Sequence, residues 1–292
     1  MVISRLPKAG LGNKLFVWAH GVVYASLHAL EHMTVGWTQY QLGPLLRMEK
    51  SKRWYTNYFI NSASWLKRCQ YIFQSKKYLS YLESNKLDMH PEATNYVFHE
   101  IPYWKDYFLG LSEHRELIKK KFFDMLSPRY QEVYRSIEAP DIAIHIRMGD
   151  FKKLEAGLDF SKAGLTRTPI EYFSEVIHTI REITGNDTPV KIFSDGNKAE
   201  LTSVLSLPHV DFAHNISDLA DLLQMSKSKI LVLSAGSTFG QWSGFLSDAI
   251  LIHHPAHFHG YVRDENDISS EYEGIWSLEN SELFNSILKK LI

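Results

Sequence analysis

Three polar side chains crowd the end of one apolar run. In Pro140-Asp141-Ile142-Ala143-Ile144-His145-Ile146-Arg147-Met148-Gly149-Asp150, the residues His145, Arg147 and Asp150 fall within six positions. The run reads as a buried strand that starts after Pro140 and breaks at Gly149. Ligands of open α/β sheets sit outside the carboxyl ends of the strands. His145 and Arg147 are two apart and share a side of an extended backbone. An arginine there can grip an anionic oxygen with two parallel N–H bonds, as phosphates and carboxylates require. The residues alone admit a second reading, in which Arg147 and Asp150 form a structural ion pair beside a core histidine. Two other strand ends carry similar groups: Ser194-Asp195-Gly196 follows Val190-Lys191-Ile192-Phe193, and a hydroxyl-rich turn from Ser234 to Thr238 follows Ile230-Leu231-Val232-Leu233. Hydroxyls and free N–H groups at a helix start suit an anion, although Ser237 or Thr238 could simply cap the helix.

Near the N-terminus, Val2 to Leu6 reads as a strand, Gly10-Leu11-Gly12-Asn13 as a glycine turn, and Leu15 to about His32 as a helix. Glycines let backbone N–H groups approach a ligand, and the positive end of the helix favours a phosphate. The turn lacks the third glycine of a dinucleotide fingerprint and is no P-loop.

The elements that must position these groups follow from periodicity. From Leu42 to about Arg135 the pattern is mainly helical, punctuated by prolines, with one helix starting at Ser112 and Lys119-Lys120-Lys121 on its solvated face. Phe151 to Arg167 reads as an irregular loop holding Glu155 and Asp159. A helix follows, with Thr168 as N-cap, Pro169 at its first position and Gly185-Asn186 at its end. His209 to Phe212 suits an edge strand, Ser217-Asp218 a helix start, and Leu251 to Pro255 a last strand; Asp264 to Asp267 reads as an acidic loop and Leu278 to Ile292 as a closing helix. Strand, helix and strand in alternation predict a parallel α/β unit.

At 292 residues the chain has room for two such domains. Its 45% hydrophobic and 22% charged residues are those of a soluble globular protein. The net charge of -1 hides a basic stretch: Arg47 to His90 has nine Lys/Arg against three Asp/Glu, interleaved with aromatic residues. That stretch suits an anionic lipid face, a polyanion or nucleic acid, or else an ordinary helical subdomain with solvated lysines. Cys69 is the only cysteine, so no intrachain disulfide forms and a reducing compartment is expected. Polar residues interrupt the first apolar segment, so no signal peptide or membrane span is expected. Four histidines between His253 and His259 lack a spacing that would present them together to zinc.

In order, these stretches resemble the bacterial α-1,2-fucosyltransferase family and its relatives that use GDP-fucose. The resemblance rests on Gly10-Leu11-Gly12-Asn13-Lys14-Leu15-Phe16, His145-Ile146-Arg147-Met148-Gly149-Asp150, Phe193-Ser194-Asp195, and Ser237-Thr238-Phe239 with Trp242. It implies two facing Rossmann-like domains of GT-B type, here a mostly helical N-terminal acceptor-side domain (1–139), a nucleotide-sugar domain (140–276) and a closing helix (277–292). It also implies an inverting transfer of L-fucose from GDP-fucose to a glycan hydroxyl, in surface polysaccharide synthesis, without an obligatory metal or other cofactor. Carried across by motif, Arg147 holds the diphosphate, Gly10 and Gly12 approach it from the other domain with Asn13, and Ser237, Thr238 and Phe239 join it. His145 and Asp195, with Ser194, contact the nucleoside. Asp150 is the first candidate for the base, with Glu155 and Asp159 as alternatives.

The sequence departs from the family pattern at Met148 (usually arginine), Gly196 (usually aspartate), Gly236 (often asparagine) and Lys14 (commonly glutamine). These changes leave the grip on a diphosphate in place and leave the sugar open. The competing expectations are a transferase for another nucleotide sugar, and a non-catalytic protein that binds nucleotides or polyanions. The expected partners are the donor and a glycan acceptor, lipid-linked in the leading reading, with no nucleic acid. The expected location is the cytoplasm, with the basic aromatic segment against the inner membrane face.

Overall fold

A computed structural model describes residues 1–39, 55, 57–60, 79–81, 95–155, 157–264, 272–275 and 285–286. Most of the basic aromatic stretch, most of the acidic loop after Asp264 and nearly all of the closing helix expected over 277–292 lie outside these residues. The chain divides into two compact units, one formed by Met1–Met48 and Lys52–Arg135, the other by Glu49–Ser51 and Ser136–Ile292.

The first unit holds a parallel four-stranded sheet in the order β2-β1-β4-β3. Its strands are β1 (Val2–Arg5), β2 (His32–Val35), β3 (Leu79–Tyr81) and β4 (Asn95–Phe98). The mainly helical pattern expected between Leu42 and Arg135 missed two strands of this sheet, β3 and β4, which come from that region. β4 is buried at all four positions, and a short, fully buried strand carries no alternation to mark it.

Helix α1 (Leu11–Leu27) makes the crossover between β1 and β2. It starts four residues before the expected Leu15, so Gly12 and Asn13 belong to its first turn and Gly10 is the N-cap, at φ -65° and ψ 166°. It also ends well before His32, which opens β2 instead. Gly21 is required by close packing, because a Cβ there would overlap Ser4 Oγ. That hydroxyl donates to Val17 O at 3.1 Å and lies 2.9 Å from His32 Nε2. Helix α2 (Arg115–Met125) is preceded by a 3₁₀ turn over Ser112–His114, so Ser112 starts that turn rather than α2 itself. Its Phe122 meets Trp18 of α1 edge to face, with ring centroids 6.3 Å apart. The short helix α3 (Pro128–Ser136) follows.

The second unit is a parallel six-stranded sheet in the order β10-β9-β8-β5-β6-β7. Its strands are β5 (Ile142–Ile146), β6 (Val190–Ser194), β7 (Val210–Phe212), β8 (Ile230–Val232), β9 (Ile250–His253) and β10 (Glu273–Ile275). The chain lays β5, β6 and β7 outward in one direction, then returns to β8 beside β5 and proceeds in the other. The carboxyl ends of β5 and β8 therefore flank a topological switch point, where α/β sheets leave a crevice for ligands.

Helix α4 (Ile170–Thr184) covers one face, burying Phe173, Val176, Ile177 and Ile180 completely in a cluster with Ile142, Ile144, Ile146 and Ile192. Gly185 ends it in the left-handed conformation at φ 71°. Thr168 does not cap this helix, whose N-cap is Pro169 with no side-chain bond. Instead its hydroxyl accepts from Ala235 N at 3.0 Å. Helices α5 (Thr202–Leu205), α6 (Asp218–Met225) and α7 (Thr238–Leu246) complete the unit, with Ser217 capping α6 through Ala220 N.

Strand β10 escaped the sequence pattern because its anchor is polar. Glu273 is buried, its Oε1 accepting from Val262 N at 2.7 Å and meeting His253 Nε2 at 2.7 Å, its Oε2 accepting from Arg263 N at 3.1 Å. Glu273→Ala leaves two backbone donors without an acceptor, and is expected to destabilise the protein by about 3 kcal/mol in urea unfolding.

Candidate functional site

The apolar positions of β5 decide where its polar ones go. Ile142, Ile144 and Ile146 join the α4 side of the core, which sends His145 to the opposite face. There α7 packs directly on the imidazole: a Cβ at Gly240 would come within 2.8 Å of His145 Nδ1, so only glycine fits without displacing the ring. Nδ1 is buried and has no hydrogen-bond partner among the described residues. An orphaned acceptor is better tolerated than an orphaned N–H, which favours the tautomer with its proton on Nε2. Burial lowers the His145 pKa to about 4, with Asp195 opposing and Arg147 reinforcing the shift, so the ring is neutral at physiological pH. The Phe239 ring lies beside it, centroids 5.5 Å apart.

Arg147 is held at both ends. Its backbone N–H donates to Ser234 Oγ at 2.8 Å, and that hydroxyl donates to His145 O at 2.8 Å, so Ser234 ties the end of β8 to the end of β5. Its guanidinium donates through Nη1 to Asp195 Oδ2 and through Nη2 to Asp150 Oδ1. Asp195 also accepts from Met148 N at 2.8 Å and Gly149 N at 3.1 Å, both on Oδ1. A Cβ at Gly149 would overlap the Asp195 carboxylate, which fixes glycine at that position. With two backbone donors on one oxygen and a guanidinium on the other, Asp195 shapes the turn after β5. Three of its four lone-pair positions are thereby occupied, so gripping the two N–H groups of a guanine edge would require at least one of those bonds to open.

Two of the departures from the family pattern form a pair. A Cβ at Gly196 would overlap Met148 Sδ and lie 3.0 Å from Met148 Cβ, and Met148 is buried. An apolar side chain fills the space that a larger residue at 196 would need, so each change accommodates the other.

The remaining expected residues take distinct places. Ser194 Oγ accepts from Gly196 N at 3.0 Å, turning the chain after β6. Ser237 is the N-cap of α7, bonded to Gly240 N, and Thr238 and Phe239 open that helix after Gly236, which adopts φ 66°. Gly10, Gly12 and Asn13 lie in the first unit, at the start of α1, where Asn13 Oδ1 is buried without a partner among the described residues. Asp150 is exposed. Glu155 is exposed, and Asp159 caps a 3₁₀ turn by accepting from Ser161 N and Oγ, bonds that hold its carboxyl below its ordinary pKa.

The segment from Phe151 to Arg167 is closed at its base. Lys152 N donates to Leu165 O, Arg167 N to Lys152 O, and the Arg167 guanidinium to Phe151 O and Glu200 Oε1. Its Phe160 ring meets His254 and His257 edge on, and His257 Nε2 lies 2.9 Å from Phe160 O. With His253 on Glu273, three of the four histidines thus have structural tasks, and among the described residues no group of three or more His, Cys, Asp or Glu is arranged to hold a metal ion. Sequence reasoning did not single out Gly240 or Thr168 as site residues, and named Ser234 only as the start of the hydroxyl-rich turn. Their signal was the position of each beside a strand end or helix start.

No protein-family model and no curated protein matches the chain by sequence. Solved structures do match by shape. The fucosyltransferase NodZ from Bradyrhizobium is 14% identical, with 85% of this chain and 93% of that chain covered at a TM-score of 0.50. The chain shares the NodZ fold. A variant of Arabidopsis thaliana FUT1 in complex with GDP is 14% identical over 92% of this chain and 72% of its own, at a TM-score of 0.47. POFUT1 in complex with GDP is 11% identical over 86% and 98%, also at 0.47. The likeness to NodZ bears out the expected α/β fold class. No described helix is long and apolar enough to cross a membrane.

Proposed function

We propose that the protein is an inverting glycosyltransferase that moves L-fucose from GDP-fucose to a glycan hydroxyl, as an α-1,2-fucosyltransferase does, in the cytoplasm and in the service of surface polysaccharide synthesis. The observation that carries this reading is the Arg147 guanidinium, aimed by Asp195 and Ser234 at the switch point of a parallel sheet. The NodZ fold supports it, NodZ being itself a fucosyltransferase. The coupled fit of Met148 and Gly196 speaks for a maintained site over a decayed one.

In this reading the diphosphate binds Arg147, Ser237 and Thr238, while neutral His145 offers its Nε2 proton to an acceptor atom of the nucleotide. The acceptor hydroxyl oxygen attacks C1 of the sugar. The bond from C1 to the phosphate oxygen breaks with its electron pair going to GDP, and inversion follows from the single displacement. Charge grows on the departing diphosphate, where the preorganised guanidinium stabilises it; a resident cofactor is not called for. The proton of the acceptor goes to a carboxylate, for which Asp150 is placed beside Arg147. A diphosphate that takes over the Arg147 Nη2 bond would free Asp150 for that task.

Asp150→Asn separates these roles. Turnover of GDP-fucose is expected to fall about 10²- to 10⁴-fold, while GDP affinity stays unchanged or rises because a competing carboxylate has been neutralised. Equal loss in both would assign Asp150 to positioning alone. The function itself is tested by calorimetric titration with GDP, GDP-fucose, GDP-mannose and UDP-glucose, with and without magnesium, followed by an acceptor screen for GDP release. Preference for GDP-mannose would keep the transferase and change the sugar; binding of none of the four would overturn the reading.

A further inference from the structure

The first unit encloses a charged group that the mechanism above does not use. Lys14, in the first turn of α1, has no exposed surface. Its Nζ donates to Pro7 O at 2.8 Å, Gly36 O at 2.8 Å and Gln39 Oε1 at 3.0 Å. The three N–H donors of an ammonium meet three oxygens, none of them a carboxylate. Gln39 Nε2 donates in turn to Leu6 O at 2.9 Å. Pro7 belongs to the loop after β1, and Gly36 and Gln39 to the loop after β2, its parallel neighbour. Gly36 is shaped for this cage: it adopts φ 104°, and a Cβ there would press to 2.6 Å from Gln39 Nε2.

Burying an ammonium among neutral partners works against stability. A residue that only packed could be apolar. The consequence here is mechanical, because one side chain ties together two loops at the carboxyl end of the sheet, and the first of them leads directly into Gly10 and Gly12.

We propose that Lys14 is a positioning residue: its caged ammonium fastens the β1–α1 loop to the loop after β2 and so fixes the Gly10-Leu11-Gly12 segment for the donor. The proposal rests on the transferase reading for its ligand and on the cage for its geometry. Burial lowers the Lys14 pKa to about 8, and among the described residues the Tyr55 ring also faces Nζ, its centroid 5.9 Å away. Below pH 8 all three oxygens receive a proton. Above it the amine keeps two N–H groups and turns its lone pair on the third oxygen. Global stability moves the other way, because the unfolded lysine stays protonated to about pH 10.5, so the unfolded state binds more protons between pH 8 and 10.5 and the contribution of Lys14 to stability rises there. Loosened loops without a loss of fold stability from Lys14 are therefore the signature.

The test compares wild type, Lys14→Met and Gln39→Glu by amide hydrogen exchange and by GDP-fucose kcat/KM between pH 6.5 and 9.5. In Lys14→Met at pH 7, exchange at residues 6–10 and 36–39 is expected to quicken roughly tenfold or more, and kcat/KM to fall by a similar factor. The wild-type decline in kcat/KM centred near pH 8 should vanish in that variant. Gln39→Glu gives the ammonium a carboxylate partner and should move the decline to higher pH. If Lys14→Met does not fold, the Gln39→Glu shift decides: an unmoved decline overturns the proposal. Exchange and kcat/KM both unchanged in Lys14→Met overturn it as well, as does loosening of the loops with donor use intact. Absence of donor binding in wild type counts instead against the transferase reading, and the exchange data then still judge the cage.

Discussion

Arg147→Ala is expected to abolish nearly all transfer from GDP-fucose, with kcat reduced about 10³-fold, while the circular dichroism spectrum stays that of the wild type. The magnitude is that of removing one preorganised donor from a site where negative charge develops in the transition state. Its direction follows from position. The guanidinium emerges from the central strand of the second unit, and β5 keeps its fold without it, because Ile142, Ile144 and Ile146 are held by α4. The backbone of residue 147 stays in place through Ser234, whose two bonds involve no arginine side chain. Arg147→Lys is expected to recover only a small part of the activity, since an ammonium cannot reproduce two parallel donors. Stopped-flow and steady-state assays of GDP release measure the effect; a folded Arg147→Ala protein with near-normal turnover would remove the guanidinium from the mechanism.

The second large effect is expected at Asp195. Asp195→Asn sets an amide NH₂ against either the N–H groups of Met148 and Gly149 or the Arg147 guanidinium, because the carboxylate faces donors on both oxygens. One donor must face another, and the turn after β5 opens. GDP affinity is expected to drop roughly 100-fold, with a melting temperature several degrees lower from the unpaired backbone groups. Whether the loss depends on the base is the informative part. Acting through Arg147, Asp195 should affect the binding of GDP and of any residual UDP ligand by the same factor. A loss confined to guanine nucleotides in competition titrations would return Asp195 to the nucleobase contact expected from the family resemblance.

Much of this site was legible as residue types at strand ends. The run from Ile142 to Ile146 announced a buried strand, and the turn chemistry around Thr168, Gly185 and Ser217 located both ends of α4 and the start of α6 to within a residue or two. Less was legible in the first unit. β4 is too short and too uniformly buried to show a period, and β2 begins with a histidine that reads equally well as the end of α1. Strand β10 was hidden for the opposite reason, its anchor being a glutamate whose partners, Val262, Arg263 and His253, are 10 to 20 residues away.

The sequence by itself determined the alternation of strands and helices, the burial of β5 and the presence of His145, Arg147 and Asp195 at strand ends, because these depend on neighbours a few residues apart. Only the tertiary structure decided which groups meet. That Asp195 shapes the turn of Arg147, that Gly240 clears the way for His145, that Met148 fits over Gly196 and that Lys14 is caged by two loops all depend on contacts between 20 and about 100 residues apart, or on a carbonyl turned inward by its own loop. Side-chain type states what a group can do; the packing of parallel strands side by side selects the partner with which it does it.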